Sequence, residues 1–186
     1  MSRARYTFYS VIIVCCLILL YFFLVRGMNF FLVPSGSMEP LLQEGDYILT
    51  LKASTYEPGD IVVFKDPEVK GEFLVKRIVA IAGDTVELIG GALHINGQYV
   101  SEPYVKEPLF FNYPPYVVSS GCCFVLGDNR KFSEDSSSET WNAGEWNCHP
   151  GISTDSIIGV VRRIYLPLNR SGPVKPFALT NYALPE

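Results

Sequence analysis

From Thr7 to Val25 the chain reads TFYSVIIVCCLILLYFFLV, without one charged side chain. Wound as an α-helix, a run of that length rises roughly 28 Å, close to the about 30 Å hydrocarbon core of a bilayer. Such a segment is either a removable leader or a lasting anchor. A leader wants a shorter apolar core and small residues just before its cut. Here RGMNFF follows Val25, so the sequence predicts an uncleaved transmembrane anchor. Arg3 and Arg5 favour an N-terminus on the cytoplasmic side, against the opposing pull of Arg26. Residues 1–27 then form a short cytoplasmic end with the anchor, and residues 28–186 an extracytoplasmic domain.

A chain of 186 residues, less an anchor, leaves room for one domain and hardly for two sizeable cores. Net charge is -4 and no long basic run occurs. Nucleic acid is therefore not an expected partner, because phosphate binding needs clustered Lys and Arg. The aromatic fraction of 13% favours strands. Short β-branched runs bounded by Gly, Pro or Asp predict strands at Tyr47–Leu51, Asp60–Phe64, Phe73–Ile81, Thr85–Ile89, Ala92–Ile95, Gln98–Val100, Cys122–Leu126 and Ile157–Ile164. Gly90-Gly91 and Asn96-Gly97 read as tight hairpin turns. One helical turn starts at Met38, and the polar stretch Lys131–Ser156 reads as loop. The predicted fold class is mainly β, a β-barrel or sandwich domain on one N-terminal transmembrane helix.

Cys15 and Cys16 lie in the apolar run and act there as small apolar residues. Cys122, Cys123 and Cys148 belong to the external part. An oxidising compartment allows one disulfide, Cys148 with either Cys122 or Cys123; direct pairing of the two neighbours is strained. No C-x-x-C, H-E-x-x-H or close His pair occurs, so no metal or other cofactor is expected.

The stretch PSGSMEP, Pro34 to Pro40, sets two hydroxyls in an apolar setting just past the anchor. Serine is a weak nucleophile and needs an adjacent base. His94 falls in a hairpin strand and His149 in a polar loop, both ordinary surface positions. No G-x-S-x-G elbow and no S-x-x-K pair is present. The remaining base is a lysine. In Phe73-Leu74-Val75-Lys76-Arg77-Ile78-Val79 a strand puts Leu74, Lys76 and Ile78 on one face. Lys76 thus shares its face with apolar neighbours. Burial disfavours an ammonium, and a neutral lysine accepts a proton from serine. The plain alternative is a snorkelling lysine on an edge strand.

Four ordered segments decide between these. Pro34–Pro40 continuing to Gly45-Asp46, Gly59–Phe64, Val75–Val79 running to Gly83-Asp84, and Gly127-Asp128-Asn129-Arg130 with Ser133, Asp135 and Ser136 together resemble a type I signal peptidase, a membrane-anchored serine protease with a Ser–Lys dyad. The likeness runs from Phe31 to about Ser136 and resumes near Ile157. It implies Ser37 as nucleophile and Lys76 as general base. It implies an oxyanion site made by the Ser35 hydroxyl and the Ser37 N–H, and Ser133 as the group orienting the lysine amine. Arg77 and Asp128 match a structural ion pair, expected to be partly exposed. Phe31, Val33, Leu74 and Val75 fall where the family lines shallow substrate pockets; simple core packing is the alternative for each.

The resemblance implies endoproteolytic removal of N-terminal signal peptides from exported preproteins. Its substrates would carry small residues at the third and first positions before the cut, and its catalytic domain would face outward from the inner membrane, beside lipid. Two alternatives are a relative dedicated to one substrate, such as a pilin or conjugation protein, and a catalytically silent assembly factor. The chain departs from the family where Asp-Ser-Arg is usual and Asp135-Ser136-Ser137 stands, so an ion pair near the site is missing or remade. Residues 137–156, with Trp141, Trp146 and Cys148, read as an inserted loop.

Overall fold

A computed structural model describes residues 3–25, 27–66, 69–138 and 148–179. The apolar run lies inside one helix, α1 (Arg3–Val25), 23 residues long. Phe8, Ile13 and Leu19 on it are exposed rather than packed on the domain. Among the described residues no helix is both long and apolar enough to cross a membrane. The structure therefore supplies an apolar helix but not the crossing expected of it.

The rest of the chain is mainly β. In order come β1 (Asn29–Leu32), β2 (Tyr47–Leu51), β3 (Ile61–Lys65), β4 (Phe73–Ile81), β5 (Thr85–Ile89) and β6 (Ala92–Ile95). Then follow β7 (Gln98–Tyr99), β8 (Tyr113–Val117), β9 (Cys122–Leu126), β10 (Ile152–Ser153), β11 (Ile157–Leu166) and β12 (Gly172–Pro173). An eight-stranded sheet runs β1-β2-β11-β3-β4-β9-β10, with β12 on β11, and a four-stranded sheet runs β7-β6-β5-β8. The large sheet has free edges at β1 and β10. It does not close on itself, so the barrel part of the expectation is corrected to two open sheets.

Strand β4 is interior, antiparallel to β3 on one side and β9 on the other. Lys76 pairs with Val62, and Arg77 with both Ile61 and Leu126. An edge-strand lysine free to snorkel is thereby excluded. Along its length β4 reaches three parts of the core. Val75 packs with Val33, Met38 and Val63; Ile78 packs with Val62, Phe64 and Val125; Val79 packs with Val86, Leu93 and Phe124. At the hairpins Gly90, Gly91, Asn96 and Gly97 all have positive φ, from 53° to 83°, the backbone that right-twisted hairpins need.

Four strands are additional to those expected, one of them the short β12 beside β11. β1 continues the apolar run beyond the anchor, β8 contains two prolines, and β10 lies in the stretch expected to be loop. β10 pairs with β9 and is followed by a 3-10 turn, Thr154–Ser156. The expected loop at 137–156 is thus corrected at its C-terminal end; residues 139–147, with Trp141 and Trp146, lie outside the described residues. Cys148 is bonded to Cys122, which resolves the open pairing, and Cys123 is a buried free thiol.

Candidate active site

A cleft of ≈ 380 Å³ opens beside the centre of the large sheet. Ser35, Ser37, Lys76 and Ser133 all line it, although Ser37 and Ser133 lie 39 residues before and 57 after Lys76 in the chain. Ser37 comes from a 3-10 turn, Gly36–Met38, whose Met38 is fully buried and pins the turn to the core. Ser35 donates from Oγ to Ser37 Oγ at 3.4 Å. Lys76 is 3% exposed. Burial pushes its pKa below the ordinary lysine value of about 10.5, against the opposing pull of Asp135, Glu134, Asp128 and Asp66. A lysine so placed gives up its proton more readily than one in water.

The wall behind the cleft is built from the turn that follows β9. Gly127 has no room for a side chain: a Cβ there would lie 2.3 Å from Ser133 Oγ and 2.8 Å from the Ser37 carbonyl oxygen. Asn129 holds the nucleophile turn from the same side. Its N–H donates to the Ser37 carbonyl at 2.9 Å and its side-chain amide to the Gly36 carbonyl at 3.1 Å. Ser133 Oγ donates to Asp135 Oδ2 at 2.6 Å, which leaves its lone pairs free to accept. Asp135 in turn takes the Gly127 N–H on Oδ2, and the Ser137 N–H and hydroxyl on Oδ1. Ser137 therefore supplies neutral donors where the family usually has an arginine. Arg130 does not fill that place: it donates to the Gly127 carbonyl and pairs with Glu102.

Arg77 and Asp128 form the expected ion pair, with Nε–Oδ1 at 2.8 Å and a second bond from Nη2 to Oδ2 at 2.6 Å. Its expected partial exposure is corrected. The side chains are 1% and 0% exposed, with Nη1 donating to the Gly59 carbonyl and the guanidinium 4.0 Å from the Tyr104 ring. The fold buries the pair because Arg77 faces the interior on a central strand. Of the four expected pocket residues, Leu74 lines the cleft. Val33 and Val75 are buried in the core, and Phe31 packs on Phe73 at 5.2 Å between ring centroids. Gly127 and Asn129 stand inside a motif read from the sequence, but their support of Ser37 depends on contacts across ninety residues or more.

His94 sits half-buried on β6, edge-on to Tyr99, and His149 is exposed; neither lines the cleft. A larger cavity of ≈ 440 Å³ lies by Tyr56, Cys123 and Asp155. Its Cys123 thiol is pushed up to about 12 by burial, which makes it a poor nucleophile. Among the described residues no group of three His, Cys, Asp or Glu is placed to hold a metal ion.

A polar cleft in a β domain, floored by a buried lysine and walled by serine hydroxyls, is the equipment of a serine hydrolase. The family model described as "Signal peptidase, peptidase S26" matches residues 4–166. A probable signal peptidase I-1 of Synechocystis is 34% identical over 156 residues, covering 78% of this chain and 74% of that one. Signal peptidase I T of Bacillus subtilis is 31% identical over 168 residues, 82% of each chain. A solved signal peptidase I structure from Enterococcus faecalis is 27% identical with a TM-score of 0.47, over 59% of this chain and 98% of that one. The chain belongs to the signal peptidase family, peptidase S26, and is a serine peptidase.

Proposed function

We propose that this chain removes N-terminal signal peptides from exported preproteins, with Ser37 as nucleophile and Lys76 as general base. The observation that carries this reading is the meeting of a serine hydroxyl and a buried, interior-strand lysine in one cleft. Ser37 Oγ attacks the scissile carbonyl as its proton passes to the neutral Lys76 amine. The oxyanion takes hydrogen bonds from the Ser35 hydroxyl and the Ser37 N–H; one such donor is worth roughly 3–4 kcal/mol in the transition state. Collapse breaks the C–N bond, and the Lys76 ammonium gives its proton to the departing amine. Water, deprotonated by Lys76, then hydrolyses the ester and restores Ser37. Ser133, tied down by Asp135, keeps an oxygen available to orient the lysine amine.

Helix α1 is the anchor in this reading. The case for it rests on the sequence: the uncharged run from Thr7 to Val25 rises roughly 28 Å as a helix. The domain then faces outward from the cytoplasmic membrane, at the lipid surface where the end of a substrate's own apolar segment emerges. Leu74, on the cleft wall, favours small residues at the third and first positions before the cut.

Detergent-solubilised protein, incubated with a preprotein bearing an Ala-x-Ala site, tests the proposal. N-terminal sequencing is expected to place the cut after the last Ala, and Ser37→Ala and Lys76→Ala are each expected to abolish it while folding normally. Full activity in either variant sinks the dyad. Folded wild type that cleaves no preprotein sinks the substrate assignment.

A further inference from the structure

Phe132 is out of place for a packing residue. Its side chain is 70% exposed, lies outside all three buried apolar clusters, and lines the cleft next to Ser133. The backbone beneath it is fixed. Phe132 ends the 3-10 turn Arg130–Phe132, and its N–H donates to the Asn129 carbonyl at 3.0 Å. Arg130 of the same turn is buried, bound to the Gly127 carbonyl and paired with Glu102. A large apolar ring held out on a fixed backbone at a cleft is poised to be covered by what enters. The other large apolar side chain on the cleft is Leu74; around these two the lining is polar or charged.

The direction of proton transfer indicates which part of a bound peptide reaches the ring. In the Ser37–Lys76 reading, on which this inference rests, the lysine ammonium protonates the leaving amine. The residue that carries this amine is the first of the released chain. It must therefore lie on the Lys76 and Ser133 side of the scissile bond, and Phe132 is the covalent neighbour of Ser133 on that wall. We infer that Phe132 is a specificity-determining residue: it packs against the side chain immediately after the scissile bond and favours an apolar one there.

The test uses the full chain in detergent and a series of preproteins that differ only in the first residue after the cut. The readout is the ratio of kcat/KM for leucine over glycine at that position. In wild type this ratio is expected to be about tenfold, the usual worth of one apolar contact in a pocket. Phe132→Ala is expected to bring it within about twofold of unity, and Phe132→Leu to retain most of it. A flat wild-type ratio, or a ratio the same in Phe132→Ala as in wild type, overturns the inference. So does a loss in Phe132→Ala that is equal on every substrate, since that marks a structural role. Failure of the underlying reading shows separately, as cleavage of the series by Ser37→Ala.

Discussion

Lys76 and Arg77 are neighbours on one interior strand, both buried, and the fold treats their charges in opposite ways. Arg77 meets the Asp128 carboxylate through two hydrogen bonds. Lys76 instead lines the cleft with Asp66 and Glu134, and burial outweighs the pull of these carboxylates, Asp135 and Asp128 on its pKa. Alternation along the strand separates them: one side chain points to a satisfied polar pocket, the other to the cleft. Burial keeps this amine ready to lose its proton.

Activity is therefore expected to rise with pH as the Lys76 amine becomes neutral, with the inflection of kcat/KM below the ordinary lysine value of 10.5. Glu134 pulls the pKa upward, so Glu134→Gln is expected to move the inflection to lower pH. An inflection that stays in place would remove Lys76 as the titrating base.

Lys76→Arg is expected to fold and to be inactive, because guanidinium stays protonated. Lys76→Met is expected to be inactive yet more stable near neutral pH. The sign follows from the lowered folded pKa: the buried ammonium weakens the fold below that pKa, and the penalty fades as pH rises toward the unfolded value. Urea midpoints of wild type and Lys76→Met are expected to converge at alkaline pH.

Asp128→Ala leaves the Arg77 guanidinium buried without its carboxylate. A cost of about 3–5 kcal/mol is expected, read from urea denaturation. The double variant Arg77→Met, Asp128→Leu is expected to recover much of that loss, since no charge is then stranded. Equal destabilisation of both variants would show that packing, not the charge, is at stake.

Gly127→Ala puts a methyl group against Ser133 and the Ser37 carbonyl. Both cannot stay in place, and displacement near 1 Å at such a site costs roughly 100-fold in rate. The expected outcome is that loss in kcat with a stability change of only about 1–3 kcal/mol. Near wild-type turnover would mean that the contact between this turn and the nucleophile does not govern catalysis.

Much of this architecture can be read from residue patterns. The runs YILTL, FLVKRIVAI, TVELI and CCFVL are strands at the positions their β-branched residues predict. β8 is hidden because Pro114 and Pro115 lack the N–H that ladders use, and it is tolerated at the edge of the small sheet. β1 is hidden because NFFL merges with the preceding apolar run. At the site, the apolar neighbours of Lys76 point to its burial. The burial of Arg77 is not legible, since a charged residue ordinarily signals solvent and only the distant Asp128 and Tyr104 reverse that. The contacts of Asn129 with Gly36 and Ser37 are equally hidden, because they exist only once the turn after β9 closes on the turn before β2.

The hydroxyl and amide donors around Asp135 have a consequence for ionic strength. Mobile ions weaken attraction between charges within about 10 Å in ordinary buffer, but they leave the geometry of neutral donors largely untouched. With Ser137 in place of a guanidinium, the hydrogen bonds to the carboxylate behind Ser133 come from hydroxyl and amide donors that carry no charge. Those hydrogen bonds are expected to hold in brine as in dilute solution.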